Sequence, residues 1–477
     1  MDDRQISRPS RSLLFKLAAF LSVFSLLYSI ARFYSRPANN TRPFAQDRLS
    51  YSILLKAVNG ALDKEIQRHV SSQDTSRGSM QLETNNLDSN GQRVGQVKDL
   101  DLQCFLDNYS WNHSKSRSSS ASSPRKLCTP STPLKPIKYA SQLCPLLVGR
   151  KVLLVGPETS FHLHMHWLHD LKLHENRSHN CLGPEFCNSH QICLPPSVEP
   201  FSKGPPSNRE LVMTRSASLR YAISTTLYVG ETSNNARYTS SLKQVDPLTR
   251  VRMRDSYWLG QAKKSDVLIL NRGPLPAPSQ TYDGTRIGNW TFLRDAVYSP
   301  EYTDKRWNNS GQPSFLSALP NAKEDIKQRV VMAALHATLT RFLPSVLETF
   351  RILRHDRVIR NKALLWHGSW YSQPSCLNPL EMGIILPENA LCGSVNNDYW
   401  LLYYNAQVYM QNYLLQVLLP YYGIPFIPQA VPLYHADDQV LDGIHPKNCL
   451  VYSFGSLSEE TMRLALLTGV SRTLEEL

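Results

Sequence analysis

The sequence has 477 residues, of which 42% are hydrophobic, and it carries a formal net charge of +13. This length and apolar content allow one large folded domain after a poorly structured N-terminal third. The positive charge lies mostly in tails and a Ser-rich stretch, without a basic stripe interleaved with aromatic residues, which argues against nucleic acid as a partner. An acidic polysaccharide or a phospholipid surface remains compatible with this charge.

Residues 13–34 form an almost wholly apolar segment that is long enough to cross a bilayer. Basic residues precede it, so residues 1–12 are predicted to be a cytoplasmic tail and residues 37–477 to be luminal. The sequence thus predicts a single-pass type II protein of the Golgi or endoplasmic reticulum membrane. The alternative is a cleaved signal peptide, since Ser29-Ile30-Ala31 resembles a small-x-small cleavage site.

Glycosylation sequons and cysteines fit a luminal domain. All nine cysteines lie beyond the apolar segment, and in an oxidising lumen they predict up to four disulfides with one thiol left over. Cys181, Cys187 and Cys193 are evenly spaced in a Gly- and Pro-rich stretch, a pattern more typical of a stapled loop than of a zinc site. The Asn-x-Ser/Thr sequons are Asn39, Asn108, Asn112, Asn176, Asn289 and Asn308.

Residues 35–138 are predicted to be a stem that is largely disordered, because much of it is polar and Ser-rich. Apolar residues at helical spacing predict one helix near residues 50–68. This helix shows no chemistry and is interpreted as a spacer or a weak coiled-coil contact.

From residue 139 onward, strand and helix patterns alternate, which predicts an α/β domain with a doubly wound parallel sheet over residues 139–477. In such sheets, active residues gather at the carboxyl ends of the strands. Strands are predicted at 151–156, 211–215, 221–229, 266–274, 363–366 and 422–427, and helices at 160–173, 256–263, 323–353 and 405–418.

The stretch after the first strand is the first candidate site. Gly156-Pro157 ends the strand, and Glu158, Thr159 and Ser160 stand where the helix should begin. A hydroxyl at a helix N-terminus, beside free backbone N–H groups, is the geometry of a nucleophile loop. The alternative is an ordinary first strand with Thr159 or Ser160 as the helix N-cap.

Two later motifs supply the remaining chemistry. Asp442 and His445 lie three apart in a loop bounded by Gly and Pro, so the carboxylate can orient the imidazole as a general base. Asn271 and Gly273 follow a predicted strand and are candidate oxyanion donors. An ordinary surface turn explains the first motif equally well, and a strand-ending turn explains the second.

Together these motifs resemble the SGNH (GDSL-like) hydrolase superfamily. The type II anchor, the luminal cysteines and Asp442-x-x-His445 resemble its PC-esterase branch, which contains plant trichome-birefringence-like proteins and fungal capsule polysaccharide O-acetyltransferases. The resemblance covers residues of about 140–455. It implies a three-layer α/β/α domain with Ser160 as nucleophile, His445 as base, Asp442 as its orienter, and Asn271, Gly273 and Gly156 at the oxyanion. The implied reaction is acyl transfer or ester hydrolysis on a polysaccharide or glycolipid, with an acetyl group as the acyl unit and no cofactor.

One departure from the family pattern leaves catalysis open. The family's first motif is Gly-Asp-Ser, whereas this chain reads Gly156-Pro-Glu-Thr-Ser160. An ungapped match places Glu158 at the nucleophile position, and only a two-residue insertion places Ser160 there. A non-catalytic glycan-binding or scaffolding member of the same fold is therefore an alternative function. A Golgi glycosyltransferase using Asp437-Asp438 is a second alternative.

The remaining polar motifs are assigned no chemistry. His162, His166 and His169 share a helical face, but the spacing lacks the His-Glu-x-x-His pattern, so no metal site is predicted. The stretch Trp366-His-Gly-Ser-Trp370 follows a strand and is interpreted as a substrate-side wall or as core packing.

Overall fold

The first strand shows why the domain forms a buried parallel sheet. In β1 (Lys151–Gly156), every residue from Val152 onward is buried, so the strand is covered on both faces. Its β-branched side chains, Val152 and Val155, favour an extended backbone in such a position.

A computed structural model of the chain describes residues 43–80, 137–175, 189–193, 213, 215–229, 242–246, 249–281, 326–372, 390–391, 399–427 and 466–474. Contacts divide the chain into two units, Met1–Leu54 and Leu55–Leu477. The described part of the first unit is the beginning of one helix. The second unit contains the sheet and all residues discussed below.

Six strands form the main sheet, in the order β2-β3-β1-β6-β7-β8. The strands β1, β3, β6, β7 and β8 run parallel, and β2 pairs antiparallel with β3 at one edge. Because β3 and β6 flank β1 on opposite sides, the strand order reverses at β1, and in doubly wound sheets this reversal marks the usual ligand crevice. Besides β1, these strands are β2 (Ser189–Ile192), β3 (Ala217–Ile223), β6 (Val267–Leu270), β7 (Ala363–His367) and β8 (Phe426–Ile427). A separate hairpin consists of β4 (Leu242–Val245) and β5 (Arg252–Asp255).

Helices precede and separate the strands along the chain. They are α1 (Pro43–Met80), α2 (Cys144–Leu147), α3 (Glu158–Glu175), α4 (Leu259–Ala262), α5 (Ile326–Ala337), α6 (Leu343–His355) and α7 (Tyr399–Tyr421). A π-helical turn, Thr338–Phe342, joins α5 to α6, and residues 466–474 are also helical. Short 3-10 turns cover Ala140–Leu143, Ser279–Thr281 and Ile359–Asn361.

Two hydrophobic clusters cover the two faces of the sheet, as the alternation of side chains along a strand requires. On one face, Val152 and Leu154 pack with Leu163 and Trp167 of α3 and with Leu467. On the opposite face, the alternate strand residues pack with the π turn, α6 and α7. This second cluster includes Leu153, Val155, Phe342, Phe350 and Leu415. The chain therefore builds three layers, helices on both faces of a mostly parallel sheet.

The helix predicted at 50–68 lies within the longer helix α1. Val58 and Leu62 of α1 are fully buried. Tyr409 and Tyr413 of α7 donate hydrogen bonds to Asn59 (2.8 Å) and to the carboxylate of Asp63 (2.7 Å). In the second unit, these two hydrogen bonds tie α1 to α7, so the helix contacts the folded domain.

Several predicted elements shift in the structure. Of the strand predicted at 211–215, the described residues Met213 and Arg215 are helical and in a turn. The parallel partner of β1 is Ala217–Ile223, which overlaps the strand predicted at 221–229 and pairs Leu219 with Val152. The helix predicted at 405–418 extends to Tyr399–Tyr421, and the predicted 323–353 helix is interrupted by the π turn just before Pro344. Tertiary packing decided these bounds, since local patterns alone leave them open.

Within the part of the chain that the structure describes, one helical stretch, Ile326–His355, is long and apolar enough to cross a membrane by length and composition. However, 67% of its most apolar window is buried inside the protein, which is also typical of a core helix. The predicted membrane anchor at 13–34 lies outside the described residues.

Candidate functional site

A serine and a histidine meet at the carboxyl edge of the sheet. Ser160 is the third residue of α3, and its backbone N–H donates to the carbonyl of Pro157 at 2.8 Å. Its Oγ lies 3.1 Å from Nε2 of His367, the last residue of β7. Both side chains are fully buried. The sequence predicted the serine but paired it with another histidine.

The second ring nitrogen of His367 fixes the role of the first. Nδ1 lies 3.0 Å from the carbonyl oxygen of Gly368, an acceptor, so Nδ1 carries the proton in the neutral ring. Nε2 then presents its lone pair to the Ser160 hydroxyl, which donates to it. Burial lowers the pKa of His367 to about 4, although its bond to the Gly368 carbonyl works in the opposite direction. The imidazole is therefore neutral near pH 7, as a general base must be before it takes a proton.

Gly156 is required by the position of Ser160. A Cβ added to Gly156 would lie 2.2 Å from Ser160 Oγ and 3.1 Å from the carbonyl oxygen of Asn271. No side chain fits at this distance, so glycine lets the loop after β1 pass directly beneath the hydroxyl. Tyr221 fastens the same loop, since its hydroxyl lies 3.1 Å from the carbonyl of Gly156 and 2.9 Å from that of Pro157. Burial raises the pKa of Tyr221, which keeps that hydroxyl protonated.

Asn271 lies beside the pair but uses its amide hydrogens within the protein. Its Nδ2 donates to the carbonyl of His367 at 2.7 Å and to Ser369 Oγ at 3.2 Å. Asn412 of α7 holds the same loop by bonding both the N–H and the carbonyl of Ser369. In this state Asn271 positions the end of β7, and its predicted role as an oxyanion donor would require one of these bonds to open.

The other predicted residues of this loop region are placed as follows. Gly273 lies against the Pro157 ring, where an added Cβ would meet Pro157 Cγ at 3.3 Å. Glu158 points away from the pair: its side chain is 68% exposed and forms an ion pair with Arg254 at 2.5 Å. The ungapped match to the family motif therefore puts a solvent-facing carboxylate at the nucleophile position, whereas Ser160 is the residue that faces a histidine.

Several predicted residues lie outside the described part of the chain. They include Asp442 and His445, and the sequons Asn39, Asn108, Asn112, Asn176, Asn289 and Asn308. The carboxylate pair Asp437-Asp438 lies there too.

Sequence reasoning missed His367 as the partner of Ser160. The available signal was its position: it directly follows the apolar run Ala363–Trp366, and the last residue of a parallel strand faces the ligand edge of the sheet. The interpretation of this stretch as a substrate wall considered its tryptophans and overlooked its imidazole.

The one histidine of α3 whose side chain the structure describes makes a different contact. His164 is buried, and its Nε2 lies 3.3 Å from Nδ1 of His190 on β2. The side chains of His162, His166 and His169 lie outside the described part of the structure. Among described residues, no group of three or more His, Cys, Asp or Glu side chains is placed to hold a metal ion.

Chemically, the pair can transfer a proton from a hydroxyl to a neutral imidazole. This proton transfer activates a serine for attack on a carbonyl carbon, and it needs a nucleophile and a base within hydrogen-bond reach. A backbone carbonyl at Nδ1 holds the ring in the required tautomer. No protein-family model, curated protein or solved structure matches this chain.

Proposed function

We propose that this chain is an acyl-ester transferase or esterase in which Ser160 is the nucleophile and His367 its general base. The observation that carries the proposal is the 3.1 Å contact between Ser160 Oγ and His367 Nε2. Its place adds support, because the contact lies at the carboxyl edge of a parallel sheet, next to the strand where the order reverses.

In the proposed reaction, His367 accepts the hydroxyl proton as Ser160 attacks the ester carbonyl. The acyl group becomes attached to Ser160, and the protonated His367 then returns its proton to the departing alkoxide. Water or a sugar hydroxyl, activated by the same histidine, attacks the acyl-enzyme and releases free serine. The first acceptor gives ester hydrolysis and the second gives acyl transfer.

For the substrate we propose a polysaccharide or glycolipid of the secretory pathway, with an acetyl group as the transferred unit. This rests on the sequence resemblance to the PC-esterase branch of the SGNH superfamily, the predicted type II anchor and the luminal sequons. Asp442 and His445 remain candidates for further polar residues of the site. The backbone N–H of Gly156 or Gly273 remains a candidate donor to the oxyanion.

A non-catalytic glycan-binding or scaffolding role is the second candidate, and a specific observation favours it. Ser160 and His367 are both fully buried in this state, so a substrate must gain access before the serine can attack. A buried Ser–His hydrogen bond also stabilises a fold without any chemistry.

An ester-hydrolysis assay separates the two functions. The full chain should release p-nitrophenol from p-nitrophenyl acetate, and Ser160→Ala should abolish that release. Ser265→Ala is the matched control, because Ser265 is a buried hydroxyl at the opposite, amino edge of β6 that donates to Gln261 O at 2.9 Å. Equal rates in the wild type and Ser160→Ala would establish that the serine is not the nucleophile.

A further inference from the structure

A buried arginine stands beside the candidate site, and two of its donor nitrogens have no acceptor among the residues that the structure describes. Arg272 follows Asn271 at the end of β6, and its side chain lies with the guanidinium carbon 5.4 Å from the centre of the Phe342 ring. The residue is 5% exposed. Among the residues that the structure describes, none accepts a hydrogen bond from its Nε or Nη1. A buried, charged donor without a hydrogen-bond partner costs free energy of folding. An acceptor that binds there would remove this cost.

Two carboxylates whose charges act on Arg272, Asp255 and Asp246, accept hydrogen bonds from other donors. Asp255 accepts from Ser224 Oγ at 2.8 Å, from Thr226 N at 3.0 Å and from Thr226 Oγ1 at 2.9 Å. Asp246 accepts from Arg341 at 2.6 Å. These two carboxylates act on Arg272 through space and favour its charged form.

The charge of Arg272 persists at neutral pH. Burial lowers the pKa of Arg272 to about 10, and the positive charge of Arg341 acts in the same direction, while Asp255 and Asp246 oppose them. A group with this pKa stays protonated near pH 7. The result is a desolvated cation with hydrogen-bond donors to offer.

The main chain connects this cation to the Ser160–His367 pair. The carbonyl of Arg272 accepts from Ser369 Oγ at 3.3 Å, and Asn271 links Ser369 Oγ to the carbonyl of His367. The arginine and the pair therefore belong to adjoining strand ends on one edge of the sheet.

We propose that the Arg272 guanidinium binds an oxyanionic group, a carboxylate, sulfate or phosphate, carried by the molecule on which Ser160 acts. The Phe342 ring holds the cation from one side by a cation–π contact, and the anion satisfies the free donors. The proposal that an anion binds rests on the contacts of Arg272 alone. The proposal that this anion is part of the substrate rests on the function proposed above. The site thereby selects a negatively charged acyl acceptor or donor.

The test is an anion titration of the full chain by calorimetry, with glucuronate, inorganic sulfate and inorganic phosphate as separate probes. At least one probe should bind, and Arg272→Met should weaken it by about ten- to a hundredfold, because charge-assisted hydrogen bonds are lost. Arg351→Met is the control, since Arg351 is 61% exposed and pairs with Glu348 on α6. Tighter binding of glucuronate assigns the site to a sugar carboxylate, and tighter binding of sulfate or phosphate assigns it to an esterified glycan or a phosphorylated donor.

Thermal unfolding without added anion provides a second readout. Arg272→Met should unfold at the same or a higher temperature than the wild type, because a buried charge without partners is removed. Binding of none of the three probes, or a lowered unfolding temperature together with an unchanged anion response, would overturn the inference. These results are independent of the ester assay. If the wild type binds an anion but Ser160→Ala keeps its esterase activity, only the proposed function is refuted. If Ser160→Ala is inactive but the wild type binds no anion, only this inference is refuted.

Discussion

Helix α3 brings two residues of one face, Ser160 and His164, into buried contact with histidines. Ser160 meets His367 at 3.1 Å, and one turn later His164 meets His190 at 3.3 Å. In both contacts, burial is the main cause that lowers the pKa of a histidine. The pKa is about 4 for His367 and about 3 for His164, and the charge of His190 further lowers the pKa of His164. The two contacts nevertheless differ in what they can do.

The difference lies in position and partner. His367 ends a parallel strand at the edge where the strand order reverses, and its partner is a hydroxyl that it can deprotonate. His190 lies on β2, the antiparallel edge strand, and its contact with His164 joins two imidazoles beside Phe161, whose ring centre is 5.4 Å from that of His164. A depressed pKa thus accompanies burial in both places and does not identify a reactive site by itself.

The largest expected effect is on catalysis. His367→Ala should reduce turnover of an activated ester by about 10⁴-fold or more, as loss of the base does in serine hydrolases, and adding Ser160→Ala should reduce it little further. His164→Phe should keep most of the activity, because it removes a buried imidazole that contacts no nucleophile. Steady-state rates of the three variants, with folding checked by circular dichroism, measure this contrast. A comparable loss in His164→Phe would show that the two contacts are not functionally distinct.

The second prediction concerns pH. The folded pKa of His367, about 4, is below the ordinary value of 6.5, so the unfolded chain binds the extra proton between these values. The neutral His367 therefore contributes fully to the free energy of unfolding above about pH 6.5. About 3 kcal/mol of this free energy is lost as the pH falls toward 4. His164 acts in the same sense down to about pH 3.

Urea unfolding from pH 7 to 4 measures that slope, and His367→Phe should flatten part of it. The acid limb of the ester-hydrolysis rate should likewise lie near pH 4. A limb near pH 6.5 would mean that the catalytic imidazole is one with an ordinary pKa, which would direct attention to His445.

The third prediction concerns the disulfide between Cys144 and Cys193, at the start of α2 and just after β2. It closes a loop with a sequence separation of 49, so replacing both cysteines by alanine should destabilise the fold by about 2–4 kcal/mol. Because the bridge lies near the His190 strand and away from the β7 end, the folded variant should retain its esterase rate. Denaturant midpoints and rates at low temperature test both parts, and a lost rate in the folded variant would link the two regions.

The smallest effects belong to two glycines that offer a matched pair. Gly156→Ala should destabilise the protein by about 1–3 kcal/mol and impair activity, because the new methyl would collide with Ser160 Oγ. Gly60→Ala, in α1, meets no atom within 4 Å and should stabilise the helix by about 0.5–1 kcal/mol. Thermal denaturation separates them, and an unaffected Gly156→Ala would show that Ser160 is not held as described.

The sheet was largely readable from the sequence because its strands are short apolar runs ended by Gly, Pro or polar residues. β1 has the predicted bounds, and β6 and β7 lie where Val267 and Ala363 begin such runs. The strand next to β1 begins earlier than the strand predicted at 221–229, because the alternating buried pattern of Ala217–Ile223 includes Ser218 and Arg220, which break an apolar run. The pairing of Cys193 with Cys144, and the hydrogen bonds between α1 and α7, depend on long-range contacts that no local pattern carries.

The site was readable in part. The serine was singled out by its place after Gly156, and the fold rule pointed to the carboxyl edge of the sheet, where Ser160 contacts His367. Its histidine partner could not be identified in the same way, because that requires the order of the strands in the sheet. His367 ends β7, and β6 lies between β1 and β7. The sequence motif at Asp442 and His445 competed for that role because its spacing is local, whereas Ser160 and His367 are 207 residues apart.

Covalent labelling tests most directly whether His367 activates Ser160. The full chain is incubated with a fluorophosphonate probe, which reacts with activated serines, and the labelled peptide is mapped by mass spectrometry. We expect a label on Ser160 that is absent in His367→Ala and present in His164→Phe and Ser265→Ala. A label on another serine, or equal labelling of Ser160 in His367→Ala, would contradict it.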